Sequence, residues 1–270
     1  MVHRSLIDAD NALGVQSERH PDGWGVAYYV DEAPHVTKSA ATALTDQLFQ
    51  RVSGIVSSET VVAHVRKATQ GDLSVLNAHP FQYGRWVFAH NGDIPEFGEV
   101  REALLREVAP RLRRFILGDT DSEVVFFMLL SALQRHGPLG SNHGIDEVMS
   151  SLASAVQRVR EICDTKQRGH DSLLTLLVTN GATLAATRGG KELFWSSYKT
   201  KCSDRETCPS LSAECEAATN TGFVNHLILS SEPLGGENVW LELEEERVIG
   251  VDWRMRLVNR RLFDPLPVAS

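Results

Sequence analysis

The segment GDTDSEVVFFMLLSALQRHG, at residues 118–137, limits the fold more than any other stretch, because it predicts one long apolar helix. Thr120 and Glu123 have the spacing of a capping box, in which two residues exchange side-chain to backbone hydrogen bonds at a helix start. Gly137 is expected to end the helix. The longest apolar run, 124–130, is far shorter than the roughly 20 residues of a membrane span. The segment therefore predicts a helix within a globular domain.

The other hydrophobic patterns predict several helices and short strands. Helical spacing recurs at 2–14, 44–56, 99–108 and 145–162. Strands are predicted in HPDGWGVAYYV, TVVAHV, RWVFAH, HLILSSEPL and RVIGVDW, and a hairpin in LLTLLVT and ATLAATR around Asn180-Gly181. No internal repeat, low-complexity tract or Gly, Pro or Ser-rich linker divides the chain. These elements predict one layered α/β domain with mostly antiparallel strands and helices that cover the sheets.

Composition and charge exclude several classes of partner. The 270 residues are 42% hydrophobic and 23% charged, which is enough to bury a sizeable core. A net charge of −8 without a basic run argues against binding to nucleic acid or to a membrane surface. The opening MVHRSLIDAD lacks the apolar stretch of a signal peptide, so the expected location is the cytoplasm.

Three of the cysteines, Cys202, Cys208 and Cys215, lie in one polar segment. With His226 they offer the donor atoms of a zinc site, but they lack the closely spaced ligand pair that structural zinc sites usually have. Free thiols in a surface loop are the favoured interpretation, and no metal is expected. The sequence does not decide whether this segment serves as a lid, a partner surface or a metal loop. Cys163 is predicted to be a buried helix residue.

Polar segments lie beside several predicted strand and helix ends. They are HPDGWG at 20–25, AHVRKATQG at 63–71, NAHPF at 77–81, AHNGD at 89–93 and GDTDSE at 118–123. Each has a structural explanation when it is taken alone. Asn91-Gly92 is typical of a hairpin turn, and Arg66 of a surface ion pair at a strand end. His64 and His90, each flanked by strand residues, are typical of satisfied core histidines.

Together, the order and spacing of these segments resemble the glutaminase domain of class II glutamine amidotransferases, which belong to the N-terminal nucleophile hydrolases. The resemblance extends from HPDGWG to SSEPLGGENVW at 230–240. The compact length is most similar to stand-alone amidotransferase-like proteins, including those that cleave γ-glutamyl amides in thiol metabolism. The resemblance implies a four-layer αββα sandwich of antiparallel sheets, formed by a single domain over 1–270. It implies no metal and no organic cofactor.

The resemblance also assigns residues that would hold the glutamyl group. Arg66 would bind the α-carboxylate, because a planar guanidinium can donate two parallel hydrogen bonds to it. Asp121 would be the counter-ion of the α-ammonium group. Thr69 and His79 would help to build the pocket wall.

The segment AHNGD is interpreted as a turn that serves as an oxyanion hole, with the Asn91 carboxamide and the Gly92 backbone N–H as donors. In this family the nucleophile is an N-terminal cysteine whose own α-amine accepts the thiol proton. Its thiolate would form a γ-glutamyl thioester that water hydrolyses. Val2, Ser5 and Cys163 are unsuitable for this role. A nucleophile strand with its connection, roughly a dozen residues, is therefore expected to be missing from this sequence.

Two explanations of the missing nucleophile stay open. In the first, the start was misassigned or truncated, and the natural protein is an active glutamine-dependent amidase or amidotransferase. In the second, the chain is a degenerate member that binds a glutamyl ligand without cleaving it. Retention of Arg66, Asn91, Gly92 and Asp121 favours the first. In either case the 270-residue polypeptide is predicted to have no glutaminase turnover.

A third hypothesis is a different N-terminal nucleophile hydrolase, acting on another amide. Such an enzyme shares the fold but not the glutamyl-binding pair, so Arg66 and Asp121 discriminate between the two. Residues 257–270 are expected to leave no room for a fused synthase domain. The expected partners are glutamine or a γ-glutamyl small molecule, with a separate synthase or a second copy of the chain as the protein partner.

Overall fold

The computed structural model describes residues 6–7, 11–164, 170–203, 205–209 and 211–265. The helices are α1 Leu13–Gln16, α2 Gln47–Ile55, α3 Phe97–Glu107, α4 Pro110–Arg113, α5 Asp121–Leu133 and α6 Ile145–Cys163. The strands are β1 Trp24–Val30, β2 Ala33–Ser39, β3 Val61–Val65, β4 Phe81–Tyr83, β5 Trp86–Asp93, β6 Leu173–Thr179, β7 Leu184–Thr187, β8 Phe194–Ser196, β9 Ile228–Ser230, β10 Leu241–Glu242, β11 Arg247–Val251 and β12 Leu257–Arg261.

The described residues form four layers in the order α, β, β, α. One β layer is a six-stranded antiparallel sheet in the order β12-β11-β7-β6-β5-β4. The facing β layer consists of two three-stranded antiparallel sheets, β2-β1-β3 and β10-β8-β9. Helices α5 and α6, with α3 against them, cover the six-stranded sheet, while α1 and α2 cover the first small sheet. The expected αββα sandwich of antiparallel sheets is confirmed.

Strand β5 contributes side chains to two different cores, because successive side chains of a strand point to opposite faces. Phe88 is fully buried in the core that the sheet shares with α5 and α6. Val87 is fully buried between the two β layers. The same alternation directs His90 toward the helices and Asn91 toward the facing β layer.

Helix α5 forms as predicted, but its capping box is only half present. Thr120 Oγ1 accepts a hydrogen bond from the Glu123 backbone N–H at 3.3 Å. The Glu123 carboxylate accepts from the backbone N–H groups of Leu117 and Gly118, at 3.1 and 2.7 Å, instead of from Thr120. The buried carboxylate thus closes the loop before the helix. The helix also ends before Gly137, where the backbone adopts a positive φ of 155°.

The interpretation of AHNGD as a turn is wrong. Strand β5 continues through Asp93, with Asn91 opposite Thr175 and Gly92 opposite Leu174 in β6. A local Asn-Gly preference favours a turn, but pairing with a strand that is distant in the sequence keeps this segment extended.

Most of the other predicted elements are present. The segments 44–56, 99–108 and 145–162 contain α2, α3 and α6, and the segments LLTLLVT and ATLAATR pair as antiparallel β6 and β7. The connection is a four-residue loop, since Thr179 lies opposite Leu184, and the Asn180 carboxamide accepts the N–H groups of Ala182 and Thr183. Much of the helix predicted over 2–14 falls on residues 2–5 and 8–10, outside the described residues, and α1 begins only at Leu13.

The four cysteines are free thiols, and Cys163 is buried in α6 as predicted. A surface location is wrong for Cys202 and Cys215, which are buried. The Cys202 N–H donates to the Glu216 carboxylate at 2.7 Å. Among the described residues, no group of three or more His, Cys, Asp or Glu side chains is arranged to hold a metal ion. None of the helices in that part of the chain is long and apolar enough to cross a membrane.

Candidate active site

A cavity of about 260 Å³ opens where the ends of β3 and β5 meet the start of α5. Its lining includes every residue that the resemblance assigned to a site, namely Arg66, Thr69, His79, Asn91, Gly92 and Asp121. The fold therefore brings these six side chains and backbone groups from separate segments to one place.

Arg66 follows β3 and is held in a fixed orientation by the loop after it. The residue is only 4% exposed, and its guanidinium donates to the carbonyl oxygens of Gln70 and Asp72 at 2.7 and 3.3 Å. The turn HPDGWG supports this segment, because the Arg66 N–H donates to Gly23 O and the Asp22 N–H donates to Arg66 O. The motif at 20–25 thus positions the arginine.

The charge of Arg66 is buried without a paired carboxylate. Burial lowers the pKa of Arg66, and the negative charges of Asp22 and Asp121 act in the opposite direction. No carboxylate in the described part of the chain forms an ion pair with the guanidinium. The group stays protonated at neutral pH, because an arginine pKa lies so high. A buried, pre-oriented guanidinium of this kind favours binding of an anionic group.

Asp121 supplies the opposite charge at the first residue of α5. It is 2% exposed, and its Oδ2 accepts the Ile94 N–H at 2.8 Å while Oδ1 accepts the Ser122 N–H at 2.7 Å. The helix N-terminus stabilises the carboxylate. Oδ1 also lies 3.2 Å from the Ser122 hydroxyl oxygen, whereas Oδ2 keeps a further lone pair. The described residues give the carboxylate no cationic partner. The cavity therefore offers a buried cation and a buried anion, which suits a zwitterionic ligand.

Asn91 and Gly92 line the cavity from β5, Asn91 with its side chain and Gly92 with its backbone. The Leu174 N–H donates to Gly189 O, away from β5. Directly opposed residues of an antiparallel pair either bond to each other or both point away, so the N–H of Gly92, opposite Leu174, is directed away from β6. A Cβ atom at Gly92 would lie 1.8 Å from the Leu173 carbonyl oxygen. Only glycine fits there.

Two neighbouring histidines, His64 and His79, line another side of the cavity, with ring centroids 4.4 Å apart and ring planes tilted by 33°. Burial lowers the pKa of His64 to about 3, and the neighbouring charges of His20, His90 and Arg66 add to the effect. Burial also holds the pKa of His79 well below its usual range. Both ring nitrogens of His79 are buried without a hydrogen-bond partner among the described residues. These neutral rings can therefore donate to or accept from a ligand.

The protein is expected to lose stability as the pH falls below about 6.5, the usual histidine pKa. The unfolded chain protonates His64 and His79 near that value, whereas the folded protein keeps His64 neutral down to a pKa of about 3. The unfolded state binds more protons in this window, so the free energy of unfolding decreases as the pH is lowered. The decrease is at most about 1.4 kcal/mol per pH unit for each group. Urea unfolding at several pH values measures this slope.

The slope should become smaller in His79→Gln and stay unchanged in His136→Gln, because the His136 ring is exposed. A His79→Gln variant with the full slope would show that the buried imidazole is not its source.

Asn77, in the segment NAHPF, was not identified as a functional residue from the sequence. It is 1% exposed, its Nδ2 donates to Asp72 O at 3.0 Å, and its Oδ1 accepts the Asp119 N–H at 3.0 Å. It therefore joins the loop that holds Arg66 to the segment before α5. Gln70 and Asp93, hydrogen-bonded at 3.2 Å, also line the cavity and were missed.

The antiparallel αββα sandwich is the fold of the N-terminal nucleophile hydrolases. Within that class, the chain belongs to the class II glutamine amidotransferase family. The family model described as glutamine amidotransferases class-II matches residues 10–247.

Individual relatives cover different shares of the chain. A Saccharomyces cerevisiae protein described as "Probable glutamine amidotransferase" is 32% identical over 183 residues, which are 62% of this chain and 51% of that protein. The chain thus spans about half the length of this relative. The γ-glutamyl-hercynylcysteine sulfoxide hydrolase of Mycobacterium tuberculosis is 35% identical over 101 residues, 34% of this chain and 43% of the relative.

A solved structure shows the same fold. The glutamine aminotransferase class-II domain protein of Silicibacter pomeroyi superposes with a TM-score of 0.63 at 23% identity, over 90% of this chain and 92% of that chain.

Proposed function

We propose that this protein is an amidohydrolase or amidotransferase that acts on the side-chain amide of glutamine or of a γ-glutamyl compound. The observation that carries the proposal is the pair of buried, oppositely charged groups in one cavity, Arg66 and Asp121. A free α-amino acid group carries a carboxylate and an ammonium on one carbon, so it complements both. Neither charge has an ion-pair partner among the described residues, and an uncompensated buried charge favours a ligand that neutralises it.

The glutamyl group is held at both of its charged substituents. Arg66 binds the α-carboxylate, because its loop contacts already fix the guanidinium in one orientation. Asp121 binds the α-ammonium through the free lone pairs of its carboxylate. Thr69, which is exposed at the cavity, and His79, whose ring nitrogens have no partner in the described residues, form the wall beside the ligand.

The amide carbonyl is oriented by β5. We assign the Asn91 carboxamide and the Gly92 backbone N–H to the oxygen on which negative charge develops during attack, since donors fixed in advance stabilise that charge without rearrangement. Both residues line the cavity, with the Asn91 side chain on the face toward the other β layer and the Gly92 N–H directed away from β6, and this position supports the assignment.

The nucleophile is proposed to be an N-terminal cysteine outside the 270 residues. Within the described residues no cysteine lines the cavity, and the first cysteine of the sequence, Cys163, is buried in the core with α6. The thiolate would add to the amide carbon, the C–N bond would break with loss of ammonia or an amine, and water would hydrolyse the thioester to a free carboxylate.

The 270-residue polypeptide is expected to bind L-glutamine and to release no ammonia from it. Binding needs only Arg66 and Asp121, whereas cleavage needs the nucleophile. Isothermal titration measures binding, with D-glutamine as the control, because exchange of the two α-substituents misplaces one of the charges. An ammonia assay measures turnover. Absence of L-glutamine binding would refute the glutamyl site, and ammonia release would show that the nucleophile is within the chain.

The source of the nucleophile is tested by intact mass and N-terminal sequencing of the protein from its own organism. A start at cysteine supports the active enzyme and makes a screen of glutamine and γ-glutamyl substrates the next step. A start at Met1 or Val2 supports the alternative, a family member that binds a glutamyl ligand without cleaving it.

A further inference from the structure

We propose that His90 and Ser122 are positioning residues that fix the distance between the Asp121 carboxylate and the Gly92 backbone. This inference rests on the proposed function, in which Asp121 binds the ligand ammonium and Gly92 the developing oxyanion. We call the two hydrogen bonds of the His90 ring, to Ser122 and to Leu173, the His90 clasp.

The clasp joins three elements of the fold through one buried ring. His90 is 3% exposed and projects from β5 toward the helices. Its Nδ1 lies 2.9 Å from Ser122 Oγ, near the start of α5, and its Nε2 lies 2.8 Å from Leu173 O, at the start of β6. Displacement of any one element therefore breaks a buried hydrogen bond, which costs about 1–3 kcal/mol.

The positions of the protons in the His90 clasp determine which lone pairs of the Asp121 carboxylate remain available to a ligand. A carbonyl oxygen only accepts, so the Nε2 of His90 carries the proton that bonds Leu173 O. In the neutral ring, Nδ1 then accepts the single hydroxyl proton of Ser122. Asp121 Oδ1 is the alternative acceptor of the Ser122 hydroxyl, at the longer distance of 3.2 Å, and donation to His90 at 2.9 Å takes that proton away from it. The carboxylate lone pair thus stays free for a ligand ammonium.

Asp121 is fixed to the same strand at a second point. Its Oδ2 accepts the N–H of Ile94, the residue directly after β5, while Oδ1 accepts the N–H of Ser122. Together with the His90 to Ser122 bond, these contacts form a closed ring of hydrogen bonds between β5 and α5. The ring sets the distance between the carboxylate and the backbone of Asn91 and Gly92.

The missing side chain of Gly92 makes room for the clasp. A Cβ atom there would lie 2.5 Å from His90 Nε2 and 1.8 Å from Leu173 O. The hydrogen bond between these two atoms therefore passes through the space that a side chain would occupy. Histidine at 90 and glycine at 92 are thus required together, which gives the HNG segment a packing reason in addition to the oxyanion assignment.

The test compares two ligands in variants that open one side of the clasp. L-glutamine carries the α-amine, and glutaramate is the same molecule without it, so the ratio of their dissociation constants reports how well Asp121 is placed. Wild type should favour L-glutamine by at least about tenfold, because a buried charged hydrogen bond contributes that much or more. Ser122→Ala and His90→Gln, which break the link to α5, should lower the ratio by about threefold or more.

Ser151→Ala is the matched control, because it removes a buried serine hydroxyl that donates to Glu147 O within α6, outside the lining of the cavity. It should keep the wild-type ratio. Thermal unfolding of each variant monitors folding. If the His90 variant does not fold, Ser122→Ala alone decides, since it removes one buried oxygen atom and adds nothing.

Different experimental results would contradict this inference and the proposed function. An unchanged ratio in Ser122→Ala, with a reduced ratio in Asp121→Asn, would overturn the clasp and keep the glutamyl site. A wild-type ratio near one, unchanged in Asp121→Asn, would overturn the ammonium site and with it the positioning role.

Discussion

Replacement of Arg66 by alanine is expected to weaken binding of L-glutamine by about 100-fold or more, which corresponds to about 2.7 kcal/mol. Removal of one partner from a buried, charged hydrogen-bonded contact costs about 2–5 kcal/mol. The substitution also removes the guanidinium donor of the Gln70 carbonyl oxygen, while Asp72 O keeps Asn77 Nδ2 as a donor. The loop that shapes the cavity therefore loses one of its anchors. Isothermal titration with L-glutamine measures the loss.

Two further variants make this result specific. Arg66→Lys keeps the charge but cannot present two parallel donors, so its affinity should fall between those of wild type and Arg66→Ala. Arg254→Ala removes an exposed arginine from the connection between β11 and β12 and should leave binding unchanged. Equal affinity of Arg66→Ala and wild type would end the glutamyl assignment.

Gly92→Ala is expected to destabilise the protein by about 3 kcal/mol or more, because it combines overpacking with loss of a buried hydrogen bond. The added methyl group would lie 1.8 Å from the Leu173 carbonyl oxygen, which belongs to the backbone of β6 and cannot rotate away. Strands β5 and β6 must separate at this point, and the His90 clasp must open. Urea unfolding measures the change in the free energy of unfolding.

Gly98→Ala is the matched control for this substitution. Gly98 lies in α3, and a Cβ atom there would meet no other atom within 4 Å. Alanine should therefore stabilise the protein by about 0.5–1 kcal/mol, through its higher helix propensity. If Gly92→Ala were as stable as Gly98→Ala, the close approach of β6 to Gly92 would not exist in solution.

The elements with strong periodicity were predictable from the sequence. Helix α6 repeats apolar residues at helical spacing, and β6 and β7 are apolar runs that flank a turn signal. Strand β2, APHVTKS, was missed because its side chains are partly or fully exposed and give no apolar alternation. It is a strand because its backbone pairs along its whole length with β1.

The residue types of the candidate site were predictable from the sequence, but the residues that hold them in position were not. The charged pair Arg66 and Asp121 was assigned by the family resemblance that the motifs carry, and the cavity contains both. The supporting roles of Asn77 and His90 depend on hydrogen-bond partners far along the chain, Asp119 and Leu173. No local pattern encodes such a contact, and for the same reason the Asn-Gly segment was expected to be a turn.

One side of the cavity is formed by a paired strand and the other by a loop, and this difference determines how easily each side opens. Asn91 and Gly92 belong to a strand that pairs with β6 in the main sheet, whereas the segment 66–77 is held largely by single side-chain contacts. Local opening of a protein starts where few buried contacts hold the backbone, and core strands open only with global unfolding. The segment 66–77 can therefore open locally while the pairing of β5 with β6 stays intact. Ligand entry is then expected to disturb only the half proposed to bind the α-carboxylate, while the half proposed to face the amide stays paired with β6.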